Sequence, residues 1–111
     1  MQYENTQIYG RSIELLQLAR DVLQELPPGY AFLADQLRRA SSSILLNFCE
    51  GYGKSTPRDA RRYFAIARGS TNEVAAILDV ALQFDVVGAS RHARGKELCD
   101  HLARMLSRFR R

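Results

Sequence analysis

The chain has 111 residues, 46% apolar and 25% charged, which is ordinary for a soluble domain with one core. It has no run of about 18 apolar residues, and MQYENTQIYG at its start lacks the basic and apolar regions of a signal peptide, so we expect a cytoplasmic protein without a membrane span. The net charge of +4 is uneven, with four Arg against six acids in residues 1–50 and twelve Lys or Arg against six acids in residues 51–111.

Two amphipathic helices are predicted in the first half of the chain. In the first, apolar residues recur every three or four positions until ELPPGY, where two prolines and a glycine stop the helix. The second keeps the same spacing until Gly51 and Gly53 end it. The predicted inward-facing residues are Ile8, Leu15, Leu16, Ala19, Val22, Leu23 and Leu26 in the first helix and Leu33, Leu37, Ala40, Ile44, Phe48 and Gly51 in the second.

Two further helices are predicted in the second half. The third begins at Thr56, a typical N-cap followed directly by proline. Residues 68–74, RGSTNEV, include four poor helix formers in a row, and Ser70 with Glu73 matches a capping box, so local rules leave a split open there. VVGAS precedes the fourth helix, with Ser90 as the predicted cap. The inward-facing residues are Phe64, Ala67, Val74, Ile77, Leu78, Ala81 and Leu82 in the third helix and Leu98, Leu102, Met105, Leu106 and Phe109 in the fourth.

The four helices and their short connections predict the fold. No segment shows the alternation of a half-buried strand, and we expect one domain over residues 1–111, an all-α antiparallel up-down four-helix bundle. Large apolar residues also lie beside the main stripes, and such residues mark contact surfaces, so we expect a symmetric oligomer. These residues are Ile13, Tyr30, Phe32, Leu45, Leu46, Ile66, Val80 and Phe84.

The segment EGYGKSTP, residues 50–57, contains the Gly-Lys-Ser triplet that ends a phosphate-binding P-loop. A complete P-loop has glycine five residues before Gly53, where this chain has Phe48, and it follows a β-strand. The segment here follows a predicted helix. We therefore interpret it as a connection between helices and expect no nucleotide at Lys54.

Few residues suit metal or cofactor chemistry. Cys49 and Cys99 are isolated, and His92 and His101 are nine residues apart, which does not place them on one helix face. We expect reduced thiols, surface histidines, no metal, no cofactor and no small-molecule substrate.

Polar residues interrupt the inward face of the second helix. Asn47 lies on the apolar stripe, and in a hairpin that turns near Lys54, Glu50 is level with residues 58–62. We interpret these residues as a structural network, because buried polar groups need partners. Glu50 and Glu73 as a general acid and base are the alternative, but this register separates them and no nucleophile or cofactor motif accompanies them, so no enzyme is expected. The predicted network is Arg39, Asn47, Glu50, Ser70 and Glu73.

The basic residues form two groups, and fourteen of the sixteen are arginines, which contact phosphate bidentately. Phosphate contacts from such groups are sequence-independent and salt-sensitive. Pairing with Glu14, Asp21, Asp35 or acids of a neighbouring subunit is the alternative. No alternation of aromatic and basic residues that would stack single-stranded bases is visible. The predicted nucleic-acid-binding residues are Arg94, His101, Arg104, Arg108 and Arg111 on the fourth helix and Arg58, Arg61 and Arg62 on the third.

Polar and small residues recur at a characteristic spacing. The pattern is Gln36-x-x-Arg39-Ala40-x-x-Ser43-Ile44-x-x-Asn47-x-x-Glu50-Gly51-x-Gly53, followed fourteen residues on by Ala67-x-Gly69-Ser70-x-x-Glu73-Val74. It resembles the bacterial four-helix bundle protein family, also called the S23 or 23S rRNA intervening-sequence protein family, densely over residues 36–74. Phe48 and Cys49 depart from the usual aliphatic residue and alanine but stay apolar or small.

The resemblance implies an antiparallel four-helix bundle whose third helix continues through Gly69 and Ser70, and a homopentameric ring or barrel. It also implies a relation to the accessory proteins of diversity-generating retroelements, which are basic and work with a reverse transcriptase and nucleic acid. The family's rRNA name reflects where some of the genes sit and does not establish rRNA binding, and no enzymatic activity is implied.

Two functions are therefore expected as alternatives. The first is a non-catalytic homo-oligomeric scaffold with a basic surface that binds RNA or DNA, or a nucleic-acid enzyme such as a reverse transcriptase. The second is a module for self-assembly or protein interaction without a nucleic-acid role. Salt-dependent binding to nucleic acid distinguishes the two.

Overall fold

Four α-helices make up most of the computed structural model, which describes residues 1–110. A short 3-10 helix, Gln2–Asn5, precedes α1 (Gln7–Glu25), α2 (Ala31–Tyr52), α3 (Pro57–Gln83) and α4 (Ala89–Arg108). Residues 1–110 contain no strand, and the predicted all-α four-helix fold is confirmed. None of the helices combines the length and the apolar character needed to cross a membrane.

Local capping fixes where two of the helices begin. Thr56 caps α3, as predicted, by accepting a hydrogen bond from the Asp59 amide at 3.2 Å. The predicted cap at Ser90 is wrong, because Gly88 is the N-cap of α4 and its carbonyl accepts from the His92 amide at 3.0 Å. Ser90 therefore already lies in the first turn of α4.

α3 continues through the RGSTNEV segment, as the resemblance implies, so the split that local rules left open does not occur. Thr71 and Val74 are completely buried there. The Thr71 hydroxyl donates to the Ala67 carbonyl at 2.8 Å, which satisfies its polar group inside the helix. The burial of these side chains outweighs the low helix propensity of the segment.

Neighbouring helices run in opposite directions. The hydroxyl oxygens of Ser43 and Ser70 are 2.7 Å apart, and nearer the hairpin Gly51 of α2 lies against Ala60 of α3. The α2–α3 contact is the most extensive in the structure. The same reversed order holds for α3 with α4, and for α1 with α4, in the pairs Asp79–Lys96, Arg68–Ser107, Arg11–His101 and Glu25–Arg91.

An apolar core fills the space between the helices. Phe48 is fully buried, and its ring centroid lies 5.8 Å from that of Phe64 and 5.2 Å from that of Phe109. Gly51 allows this packing, because a Cβ there would lie 2.7 Å from the Phe64 ring. Most of the predicted inward-facing residues are buried, and the half-buried ones are Leu16, Leu23, Leu26, Leu82, Met105 and Phe109.

Candidate nucleic-acid and assembly surfaces

The basic residues of α4 are largely paired with acids of the same chain. Arg94 forms ion pairs with Glu14 of α1, at 2.7 Å, and with Glu97. Arg104 pairs with Asp100 one turn earlier in α4. For Arg94 the alternative to phosphate binding, pairing with an acid of the same chain, is therefore what the structure has, and Glu14 is one of the acids that we predicted.

The other basic residues predicted on the fourth helix, which are His101, Arg108 and Arg111, differ in their contacts. His101 Nδ1 accepts a hydrogen bond from Arg11 Nε at 3.3 Å. Arg11 also donates to Glu14, and this hydrogen bond is the main cause that holds the pKa of Glu14 below its usual value. Within residues 1–110 Arg108 forms no ion pair, and Arg111 lies outside the described residues.

The basic residues at the start of α3 are exposed and pair with no acid within residues 1–110. Neither Arg58 nor Arg61 forms an ion pair or a side-chain hydrogen bond with any other described residue. Arg62 Nη2 donates to the Tyr63 hydroxyl at 3.0 Å, and its Cζ lies 4.9 Å from the centroid of that ring. Lys54 Nζ lies 5.0 Å from the same centroid. An aromatic ring thus lies among basic groups, a combination that the sequence pattern did not predict.

These side chains line a cleft of about 450 Å³ beside the α2–α3 turn. We call it the turn cleft, and it is lined by Lys54, Arg58, Asp59, Arg62 and Tyr63. Asp59 lies in the first turn of α3, where the helix dipole favours a carboxylate. The three cations outnumber this single acid, so the cleft suits an anion.

Glu50 pairs with Lys54 and not with the arginines of α3. Its carboxylate lies 3.0 Å from Lys54 Nζ, and this hydrogen bond is the main cause that raises the lysine's pKa. The predicted hairpin register is wrong by more than one turn at Ser43, which faces Ser70, whereas nearer the turn Gly51 lies against Ala60, within the range predicted for its neighbour Glu50. The reason is that the facing pairs are centred near residues 55–57 and not at Lys54, so the error grows along the hairpin.

A small polar cluster joins the middle of α2 to α3. Besides the contact between Ser43 and Ser70, Asn47 Nδ2 donates to the carbonyl and to the hydroxyl of Ser43, both at 2.9 Å. Arg39 and Glu73 are exposed and pair with no other residue in the described part of the chain. The network therefore forms around the predicted Asn47 and Ser70, whereas its predicted charged members lie outside it, where they avoid the cost of burying a charge.

Five large apolar side chains remain exposed in addition to Met1. Leu46 is 67% exposed and Ile66 is 45% exposed, and both lie near the polar cluster in sequence. All five belong to the residues predicted beside the main stripes, and they are Phe32, Leu46, Ile66, Val80 and Phe84. The other three predicted residues, Ile13, Tyr30 and Leu45, are half-buried.

The remaining titratable groups form no metal site among the described residues. His92 is not a free surface histidine, because its Nε2 lies 2.7 Å from Asp79, which also binds Lys96 at 2.7 Å. Both cysteines are free thiols. Cys99 is buried, and desolvation raises its pKa to about 12, whereas Cys49 is half-buried.

Comparison with known proteins gives a family. A search of the curated proteins finds no match. A protein-family model described as 23S rRNA-intervening sequence protein matches residues 4–108, a span that contains all four helices. The chain therefore belongs to the 23S rRNA-intervening sequence protein family.

Proposed function

We propose that this protein is a non-catalytic helical scaffold that assembles with copies of itself and presents a basic surface to nucleic acid. The observation that carries the proposal is a strip of exposed and half-buried residues along α2 and α3, which we call the assembly face. It contains polar, apolar and oppositely charged residues that the core does not use. Its residues are Arg39, Ser43, Leu46, Asn47, Ile66, Gly69, Ser70 and Glu73.

The contact between Ser43 and Ser70 fixes which residues lie level on this face. Leu46 follows Ser43 by three positions and Ile66 precedes Ser70 by four, so both lie one turn nearer the hairpin. The two exposed apolar side chains therefore lie at the same level of the α2–α3 pair. Full burial of such a side chain contributes about 1.5–3 kcal/mol, which favours a partner surface over water.

Opposite charges lie one turn on the other side of the serine contact. Arg39 precedes Ser43 by four positions and Glu73 follows Ser70 by three. Both side chains are exposed, and neither pairs within residues 1–110. A second copy supplies the opposite charge to each, because Arg39 of α2 in one copy meets Glu73 of α3 in the next in a head-to-tail contact.

Gly69 gives further support for a close contact at this face. In a helix interior glycine costs about 1 kcal/mol relative to alanine. A Cβ at Gly69 would meet no atom within 4 Å, so packing inside the chain does not require glycine there. The close approach of a second copy accounts for it.

The number of subunits and the basic surface follow from repetition. The family resemblance implies five subunits, and we include that number in the proposal. A head-to-tail contact from Arg39 to Glu73 forms a closed ring when the rotations between successive copies add up to a full turn. Each copy brings a net charge of +4. A ring repeats this charge and strengthens the field that attracts nucleic acid.

Charge reversal tests the assembly face. Light scattering at micromolar concentration is expected to find a closed oligomer for the natural chain and smaller species for Arg39→Glu and for Glu73→Arg. Combining the two substitutions restores complementary charges and the oligomer. Arg20→Glu is the matched control, because Arg20 is an exposed arginine of α1. A natural chain that is monomeric under these conditions contradicts the assembly.

A module for self-assembly or protein interaction without nucleic acid is the second candidate. The internal pairing of Arg94 and Arg104 favours it, because paired arginines attract phosphate less. An intact oligomer that binds neither RNA nor DNA at low salt selects this candidate. A nucleic-acid enzyme such as a reverse transcriptase, the partner that the resemblance adds, is tested by co-purification with the intact oligomer and with the Arg39→Glu variant.

A further inference from the structure

We propose that the turn cleft is the site where the protein binds single-stranded nucleic acid, with a phosphate on its cations and the adjoining base on the guanidinium of Arg62 that Tyr63 holds in place. The inference rests on the nucleic-acid role in the proposed function and deepens it by naming the site and the form of the ligand. RNA and DNA share the phosphate and the exposed base, so the experiment compares both.

Lys54 of the turn cleft is paired with Glu50, but the charges of its two arginines meet no acid among residues 1–110. Arg58 forms no ion pair or side-chain hydrogen bond with the other described residues, and the hydrogen bond that Arg62 forms with them goes to the neutral Tyr63. Arg58 lies in the first turn of α3, where the helix dipole disfavours a cation. A cation that opposes the dipole without a compensating ion pair breaks a local rule, and such positions are expected at functional sites.

Tyr63 positions the side chains of Arg62 and Lys54. It accepts a hydrogen bond from Arg62 at 3.0 Å, and its ring contacts both Arg62 and Lys54. Two long side chains are therefore already restricted before a phosphate arrives, which lowers the entropy lost on binding. A guanidinium plane held in this way also offers a surface on which an unpaired base stacks. Bases inside a duplex are not available for this contact, so the site favours single strands.

The basic residues of α4 are the competing location, and two of its arginines, Arg94 and Arg104, are already paired. Arg94 lies between Glu14 and Glu97, and Arg104 binds Asp100. A phosphate there has to compete with carboxylates for the same guanidinium groups. In the turn cleft a phosphate competes with a paired carboxylate only at Lys54, whose partner Glu50 is itself exposed.

Fluorescence anisotropy tests the assignment with a labelled single-stranded RNA, the DNA of the same sequence, and the DNA duplex. The double variant Arg58→Ala/Arg62→Ala is expected to weaken single-strand binding at least about ten-fold, because it removes two charged hydrogen-bonding groups. The slope of log affinity against log salt falls by about 0.7, because the cleft holds one phosphate. Arg94→Ala/Arg104→Ala removes the same charge from exposed residues and is expected to change affinity less than about two-fold.

Two more variants separate the ring from the charges. Tyr63→Phe keeps the ring and is expected to retain most of the affinity, whereas Tyr63→Leu frees both cations and weakens binding. Light scattering and thermal melting confirm that each variant stays folded and assembled. If the α4 double variant loses binding while the α3 one keeps it, or if the duplex binds as tightly as the single strand, the turn cleft is overturned and the nucleic-acid role stands. If the natural chain binds no strand at low salt, the role itself fails.

Discussion

Gly51 is the position where one added methyl group tests the packing of the bundle most directly. A Cβ there would lie 2.7 Å from Cε1 and 2.9 Å from Cδ1 of Phe64, and 3.0 Å from the Ala60 carbonyl oxygen. The Phe64 ring has little room to turn away, because the rings of Phe48 and Phe109 lie 5.8 and 5.3 Å from it, centroid to centroid. The helix backbone at Ala60 is still less able to move. Gly51→Ala therefore forces the α2–α3 contact apart.

Two opposing effects set the magnitude. Overpacking of a filled core costs about 1–3 kcal/mol. Alanine in place of glycine gains about 1 kcal/mol of helix propensity. The expected net result for Gly51→Ala is a loss of up to about 2 kcal/mol in the free energy of unfolding. Gly10→Ala in α1 is the matched control, because a Cβ at Gly10 meets nothing within 4 Å and only the gain applies.

Urea unfolding followed by circular dichroism measures both variants. All samples need one protein concentration, since self-association shifts the apparent stability. The difference between Gly10→Ala and Gly51→Ala isolates the steric cost of about 1–3 kcal/mol, because the propensity gain is common to both. If the two variants are equally stable, α2 and α3 do not approach as closely at Gly51 as the structure shows, and the reasoning fails.

Three further predictions concern charge and chemistry. The hydrogen bond from Lys96 is the main cause that lowers the pKa of Asp79 in the folded protein below its usual 3.8. The stabilisation from this exposed pair, less than about 1 kcal/mol, is therefore expected to be present above pH 3.8 and to vanish as the pH falls through the lower folded pKa. Urea unfolding of the natural chain and of Asp79→Asn at several pH values measures it. The pKa of about 12 and the burial of Cys99 predict that a thiol reagent labels the half-buried Cys49 first and Cys99 only on unfolding, which mass spectrometry checks. Isothermal titration should find no micromolar binding of ATP or GTP at Lys54, and an affinity lost in Lys54→Ala would contradict this.

The helices and much of the core were predictable because their signals are local and periodic. The three- and four-residue spacing of apolar side chains identifies all four helices, and Thr56 marks its helix start by a side chain that bonds its own backbone. The cap at Ser90 was missed because Gly88 fills the same place through its backbone alone. Residue type does not reveal which of two neighbouring positions adopts the extended conformation.

The site residues were less predictable because they depend on the register between helices. A register centred at Lys54 is three residues off at the pair Gly51–Ala60 and five residues off at Ser43–Ser70. Glu50 stays level with the start of α3 but pairs with Lys54, one turn further along its own chain. The pairing of Arg94 with Glu14 depends on how α1 is rotated against α4, and no short sequence pattern encodes that rotation. Sequence spacing placed the right residues on the right helices, and only tertiary packing decided their partners.

The assembly face and the turn cleft lie on the same pair of helices but at different heights. The face lies around Ser43 and Ser70, while the cleft lies at the hairpin end, near Lys54 and Tyr63. In a cyclic assembly every copy has the same orientation along the axis, so all clefts lie at one end of the ring. A strand held by one cleft then meets the next as a tethered ligand, which raises its effective concentration there. If the proposed function holds, Arg39→Glu breaks the ring although Arg39 is not in the cleft. The variant is therefore expected to lose far more affinity for a long strand than for a strand that spans a single cleft. In the proposed assembly, repetition of a modest site provides the affinity that one copy lacks.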